Sequence, residues 1–123
     1  MSRTVLAAVE DLLFRSKISE AARAAGIEVR FPRTGTKLLD KMRQSPPDLL
    51  ILDLNSSRFE PLELLRTAKS GEDTREVPVI GFLSHMQGDL ALAAREAGCD
   101  RVMARSAFVQ DLPKIIAGAE VGR

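Results

Sequence analysis

After Pro47-Asp48 the chain runs through Leu49-Leu50-Ile51-Leu52 without a polar residue, meets a carboxylate at Asp53, and continues Leu54-Asn55. A strand with one wet face alternates apolar and polar residues. An unbroken apolar run ending in an acid reads instead as a strand covered on both faces, the mark of a parallel sheet. Val77–Leu83 has the same continuous character. Working outward, further runs of strand length fall at Thr4–Val9, Ile27–Phe31 and Arg101–Ala104. Helical spacing fills the intervals. Phe14, Ile18, Ala21, Ala22 and Ala25 share one helix face; Leu38, Leu39 and Met42 suggest a second helix; Leu62, Leu65 and Ala68 a third; Leu90, Ala93, Ala94 and Ala97 a fourth; Leu112, Ile115, Ile116 and Ala119 a fifth.

The punctuation agrees. Gly26, Gly71 and Gly98 follow helical stretches, where left-handed C-caps are expected. Ala25-Gly26-Ile27 and Ala97-Gly98-Cys99 read as one helix-to-strand turn used twice. Pro46-Pro47 closes the second helix, Ser57 with Glu60 reads as a capping box, and Pro113 is expected at the front of the last helix. Strands alternating with helices predict an α/β fold, a doubly wound five-stranded parallel sheet with five helices. Ligands of such sheets bind beyond the carboxyl ends of the strands. Those ends are Val9-Glu10-Asp11, Asp53-Leu54-Asn55, Leu83-Ser84-His85 and Ala104-Arg105-Ser106.

Composition narrows the function classes. The 123 residues fit one domain, expected to span 1–123 and to stand alone. Lys and Arg number 18 against 17 Asp and Glu, so a net charge of +1 gives no bulk field for nucleic acid or an anionic membrane. One cysteine, Cys99, and one histidine, His85, exclude a disulfide framework and a His/Cys zinc site within the chain. The opening MSRTVLAAVEDLL carries a single basic residue and is not read as a signal peptide. No apolar run approaches the roughly 18 residues of a membrane span. The expected compartment is the cytoplasm. No Gly-rich dinucleotide fingerprint follows the first strand, and the chain has neither Trp nor Tyr to hold a flavin.

Carboxylates meet the ligand-binding edge at Glu10, Asp11 and Asp53. Two or three carboxylates converging with a backbone carbonyl are what octahedral Mg²⁺ requires. An aspartate beside such a metal can attack a phosphoryl group, and Arg105 could hold the resulting charge. The plainer readings are a polar end to a buried strand for Asp53, dipole-favouring acids at a helix start for Glu10 and Asp11, and a solvated arginine for Arg105. His85 reads as a loop residue and Cys99 as a small buried filler.

From Thr4 to about Ala117 the chain resembles the receiver domain of two-component response regulators, of flavodoxin-like fold. The resemblance is carried by Pro47–Asn55, by Thr74-Arg75-Glu76-Val77-Pro78-Val79-Ile80 leading into the fourth strand, and by Glu96-Ala97-Gly98-Cys99-Asp100 before the fifth. It implies that Asp53 holds the phosphoacceptor position, with Glu10, Asp53 and Asn55 as Mg²⁺ ligands. Several positions depart from the family. The first of its two adjacent acids is Val9 here. The loop after Asp53 reads Ser56-Ser57-Arg58-Phe59-Glu60-Pro61 instead of carrying Met-Pro-Gly. The switch hydroxyl position falls on Leu83, or on Ser84 if the register slips by one. Arg105-Ser106 stands where the family has Lys-Pro.

Two main readings follow from the resemblance. In one, the domain is a non-enzymatic signalling module degenerate in phosphorylation chemistry, and it binds other proteins whatever the state of Asp53. In the other, Asp53 accepts phosphate from a histidine kinase with Mg²⁺. A weaker third reading is a small-molecule-binding flavodoxin-like protein. The resemblance also implies a partner surface on the fourth helix, fifth strand and fifth helix, drawn from Leu90–Ala97, Arg101–Arg105 and Asp111–Ala119. A histidine kinase, a downstream target or a second copy of the chain would dock there.

Overall fold

A computed structural model describes residues 3–85 and 87–118 of the chain. Five parallel strands form one sheet in the order β2-β1-β3-β4-β5. They are β1 (Thr4–Ala8), β2 (Glu28–Arg30), β3 (Leu49–Asp53), β4 (Val79–Leu83) and β5 (Arg101–Ala104). The helices are α1 (Leu12–Ala25), α2 (Gly35–Gln44), α3 (Pro61–Ser70), α4 (Gly88–Glu96) and α5 (Arg105–Ala117). This is the flavodoxin-like, doubly wound arrangement that the alternation predicts. No helix among the described residues is long and apolar enough to cross a membrane.

The pleat explains the continuous apolar runs. Leu50 and Leu52 face a core with Leu38 and Met42 of α2, Leu65 of α3 and Ala94 of α4. Leu49 and Ile51 face the opposite core, with Ile18 of α1 and Ile115 and Ile116 of α5. Successive side chains alternate between two dry layers, so β3 has no wet face. Each fully buried Leu or Ile contributes on the order of 1.5–3 kcal/mol. In the second layer Phe14 of α1, Phe82 of β4 and Phe108 of α5 stack with centroids 4.6, 4.8 and 5.8 Å apart. Phe82 pairs with Asp53 across the sheet, so this aromatic cluster lies beneath the carboxyl edge.

At the opposite edge a lysine closes the β4 approach. Lys69 Nζ donates to the Val77 and Arg75 carbonyls at 2.9 and 3.2 Å and to Asp100 Oδ2 at 3.0 Å. The same Asp100 oxygen accepts the Val79 N–H at 2.8 Å. Gly98 packs on the Lys69 stem at φ +110°, and a Cβ there would sit 2.6 Å from Lys69 Cγ. The Glu96–Asp100 turn thus needs glycine for its backbone angle and for close approach.

Some local expectations change. The left-handed cap is found at Gly26, φ +69°, but Gly71 ends α3 at φ −85° in extended conformation. Ser57 and Glu60 form no capping box. Glu60 is itself the N-cap of α3, at φ +46° without a side-chain cap bond, and Pro61 starts the helix. Pro113 lies inside α5 because the helix begins eight residues earlier, directly from β5, at Arg105. Its missing N–H leaves the fourth-preceding carbonyl without its helical partner. Strand β1 stops at Ala8, one residue before Val9, the run expected to be strand over Leu49–Leu54 ends at Asp53, and β2 and β4 are trimmed as well. Ala119, expected on the last helix face, lies outside the described residues.

Gly81 tests the packing between layers. A Cβ there would meet Leu54 Cδ1 at 2.8 Å and Cys99 Sγ at 3.1 Å. Gly81→Ala is predicted to cost about 1–3 kcal/mol in urea unfolding. A neutral substitution would show that this layer is looser than described.

Candidate functional site

The carboxyl edge is built by three strand ends and the loops that follow them. Asp53 is the last residue of β3 and half-buried, and its Oδ1 accepts the Asn55 N–H at 2.9 Å. Burial pushes its pKa above the ordinary aspartate value. The Asn55 N–H and the charge of Arg105 act the other way, while the charges of Glu10 and Asp11 add to the rise.

The acids on the β1 side are already engaged by the protein. Glu10 accepts the Ser56 hydroxyl and, at 3.2 Å, the Arg58 N–H. Its other oxygen lies 3.8 Å from Arg58 Nε. The Ser56 bond, reinforced by Arg58 and opposed by slight desolvation, holds its pKa below the usual glutamate value. Asp11 is the N-cap of α1, accepting from Leu13 and Phe14 N–H at 2.9 and 3.1 Å. That cap is worth about 1 kcal/mol and settles Asp11 as a structural acid. Val9 is buried with the α1/α5 layer and supplies no ligand atom.

The β4 end is tied to the same edge through Asn55. Its Oδ1 accepts the Ser84 N–H at 2.7 Å, and its Nδ2 donates to Gln87 Oε1 at 2.9 Å. Leu83 is the last residue of β4 and fully buried in the α2–α4 layer, beside Ala104 of β5. Ser84 follows in an exposed bend, with Oγ 3.3 Å from His85 Nδ1. The residue that ends β4 is therefore the apolar one.

Arg105 opens α5, and its guanidinium lies 5.5 Å from the centroid of the Phe14 ring. Its Nε is buried without a hydrogen-bond partner. An ion pair with an acid at this edge is the natural expectation for Arg105. The ion pairs among the described residues do not include it. The aromatic cluster explains the difference, since Phe14 offers its face and Arg105 reaches Asp53 only through space.

The edge thus brings Glu10, Asp53, Asn55, Ser84 and Arg105 into one region but does not aim them at one point. Among the described residues no three Asp, Glu, His or Cys side chains converge to hold a metal. Glu10 is clasped by Ser56 and Arg58 and Asp11 serves as a cap, so a divalent cation here would have to compete with the protein's own donors for Glu10. The expected ligand group Glu10, Asp53 and Asn55 comes to one edge, with Glu10 held by Ser56 and Arg58 and Asn55 joined to Ser84 and Gln87. The pairing of Ser56 and Arg58 with Glu10, and of Gln87 with Asn55, escaped the sequence reading. The available signal was a serine and an arginine in a loop following the acceptor strand, opposite an unmatched acid.

Cys99 behaves as a buried filler. Burial raises its pKa to about 11, and its Sγ lies 3.2 Å from the Arg101 carbonyl. For Asp53 the linkage sign follows from the raised pKa. Ionising a half-buried carboxyl is disfavoured in the folded state, so the group destabilises above its folded pKa and not below its unfolded pKa. Asp53→Asn keeps an oxygen for the Asn55 N–H. It is predicted to raise neutral-pH stability, a gain that fades as pH falls through the carboxylate range. Denaturant titrations at pH 7 and pH 3 check this, and a loss of stability at pH 7 contradicts it.

No protein-family model matches the chain. Among curated proteins it is 27% identical over 106 residues to the polar-differentiation response regulator DivK of Brucella ovis, covering 85% of each chain. Among solved structures it superposes on the chemotaxis response regulator CheY4 of Vibrio cholerae with a TM-score of 0.82 at 18% identity, covering 94% of this chain and 97% of that one. The Mn²⁺-bound form of response regulator Rcp1 aligns with a TM-score of 0.77 at 21% identity, over 94% and 90% of the two chains. With five parallel strands in the order 2-1-3-4-5 and an acid at the end of β3, the chain has the fold of response-regulator receiver domains and is similar in sequence to a response regulator.

Proposed function

We propose that this domain signals through protein–protein contact and that phosphorylation of Asp53 does not set its state. The observation that carries this reading is the closure of Glu10 on Ser56 and Arg58. Aspartyl phosphorylation needs a divalent cation to neutralise charge on the transferring oxygens, and that cation needs free carboxylates. Here the protein's own hydroxyl, amide and guanidinium occupy the carboxylate nearest Asp53 in role. The burial of Leu83 supports the same reading. An apolar side chain cannot follow a phosphoryl oxygen, so a charge change at Asp53 has no hydroxyl to pull toward it.

The proposed contact surface is α4, β5 and α5. Leu92 of α4 is 54% exposed, an apolar side chain available to a partner. A kinase, a downstream target or a second copy of the chain could dock there, in the cytoplasm and without enzymatic turnover. One observation favours a second reading. Asp53 keeps the acceptor position at a strand end with the charge of Arg105 acting on it, so Mg²⁺ strong enough to open the Glu10 clasp would restore an acceptor site.

Incubation with acetyl phosphate and Mg²⁺, read by intact mass, separates the two. The protein is predicted to remain unmodified, and Ser56→Ala with Arg58→Ala to gain at most a minor phosphorylated fraction. Near-complete phosphorylation of the parent chain, absent in Asp53→Ala, contradicts the proposal.

A further inference from the structure

The edge strand β2 and helix α2 enclose an open cavity of about 490 Å³ that has no part in the Asp53 site. Arg30, Phe31, Pro32, Lys37, Asp40 and Lys41 line it. Its charges are unevenly satisfied. Arg30 pairs with Glu28 at 2.5 Å, and Asp40 with Arg43 at 3.5 Å. Lys37 and Lys41 take part in no ion pair among the described residues.

These two lysines stand one helical turn apart on α2, where like charges repel. The acid between them in sequence, Asp40, pairs with Arg43. Arg33, exposed in the β2–α2 loop, adds a third cation close by in the chain. The cavity also has an apolar side. Phe31 and Pro32 are only partly buried, and the Arg15 guanidinium sits 4.9 Å from the Phe31 ring centroid. An open groove in the small-molecule size range, two ammonium groups without an ion pair among the described residues and an aromatic ring beside them together suit a bipolar ligand.

We infer that this cavity binds a small organic phosphate, with its charged end on Lys37 and Lys41 and its apolar end against Phe31 and Pro32. Lysine suits phosphate as a mobile point charge with several donors. The site stands apart from Asp53 and needs neither phosphorylation nor a metal, so its test is independent of the proposed signalling mode.

The test titrates the ¹⁵N-labelled full chain with adenosine diphosphate, inorganic pyrophosphate and a glutamate-rich peptide in parallel. Adenosine diphosphate is predicted to shift the amides of Phe31, Lys37 and Lys41 in a saturable way, more tightly than pyrophosphate. Raising salt from 50 to 200 mM should weaken it several-fold. Lys37→Gln with Lys41→Gln, both exposed and expected to fold normally, should weaken it at least tenfold, with the circular dichroism spectrum unchanged. Absence of saturable shifts at millimolar nucleotide overturns the inference. Equal affinity for pyrophosphate removes the apolar half of the ligand and overturns it as stated. Binding of the acidic peptide alone identifies a protein-docking patch and also overturns it.

Discussion

Strand β3 lies in the middle of the sheet with a dry layer on each side, and most of the architecture follows from that burial. Leu50, Ile51 and Leu52 are fully buried and Leu49 nearly so. Their backbone must pair on both edges, which β1 and β4 do in parallel register. Parallel neighbours require crossover helices, and two dry faces require helices on both sides. Asp53 is the first residue of the run that water reaches, which is why the chain's chemistry gathers there. The aromatic cluster of Phe14, Phe82 and Phe108 fixes α1 and α5 beneath this edge and captures Arg105 on its rim.

The polar groups at the edge then divide by partner. Asp11 stabilises the start of α1. Asn55 uses both ends of its amide to join the β3 and β4 loops. Glu10 is held by Ser56 and Arg58. What is left is a half-buried Asp53 whose ionisation is disfavoured by burial and by its acidic neighbours. The same reasoning, applied to α2, singles out Lys37 and Lys41, which take part in no ion pair among the described residues.

The fold was legible in the sequence because it rests on patterns a single strand can display. The continuous run Leu49–Leu52 announces two-sided burial, and the apolar spacing of Phe14, Ile18 and Ala22 announces a helix face; all three of those residues are buried. The site was legible in part. Glu10, Asp53, Asn55, Ser84 and Arg105 do come to one edge, since strand ends are fixed by topology. Their partners were not legible, since side-chain pairing depends on distances that sequence spacing does not carry. Ser56 lies far from Glu10 in the chain and meets it only across the β1–β3 pairing. Arg105 turns to Phe14 because an aromatic face lies beneath it, a fact of packing. Pro113 misled because proline marks a first helical turn only when the helix starts nearby, and α5 starts directly from β5.

The most direct test of the account is an amide NMR titration of the chain with Mg²⁺, followed by Mg²⁺ with beryllofluoride as a mimic of aspartyl phosphate. A clasped Glu10 and a Leu83 locked in the core predict no saturable shifts at millimolar Mg²⁺, and no change in α4 or β5 on adding beryllofluoride. Saturable shifts at Glu10, Asp53 and Asn55 that spread through Leu90–Arg105 would contradict the account and identify a working phosphorylation switch.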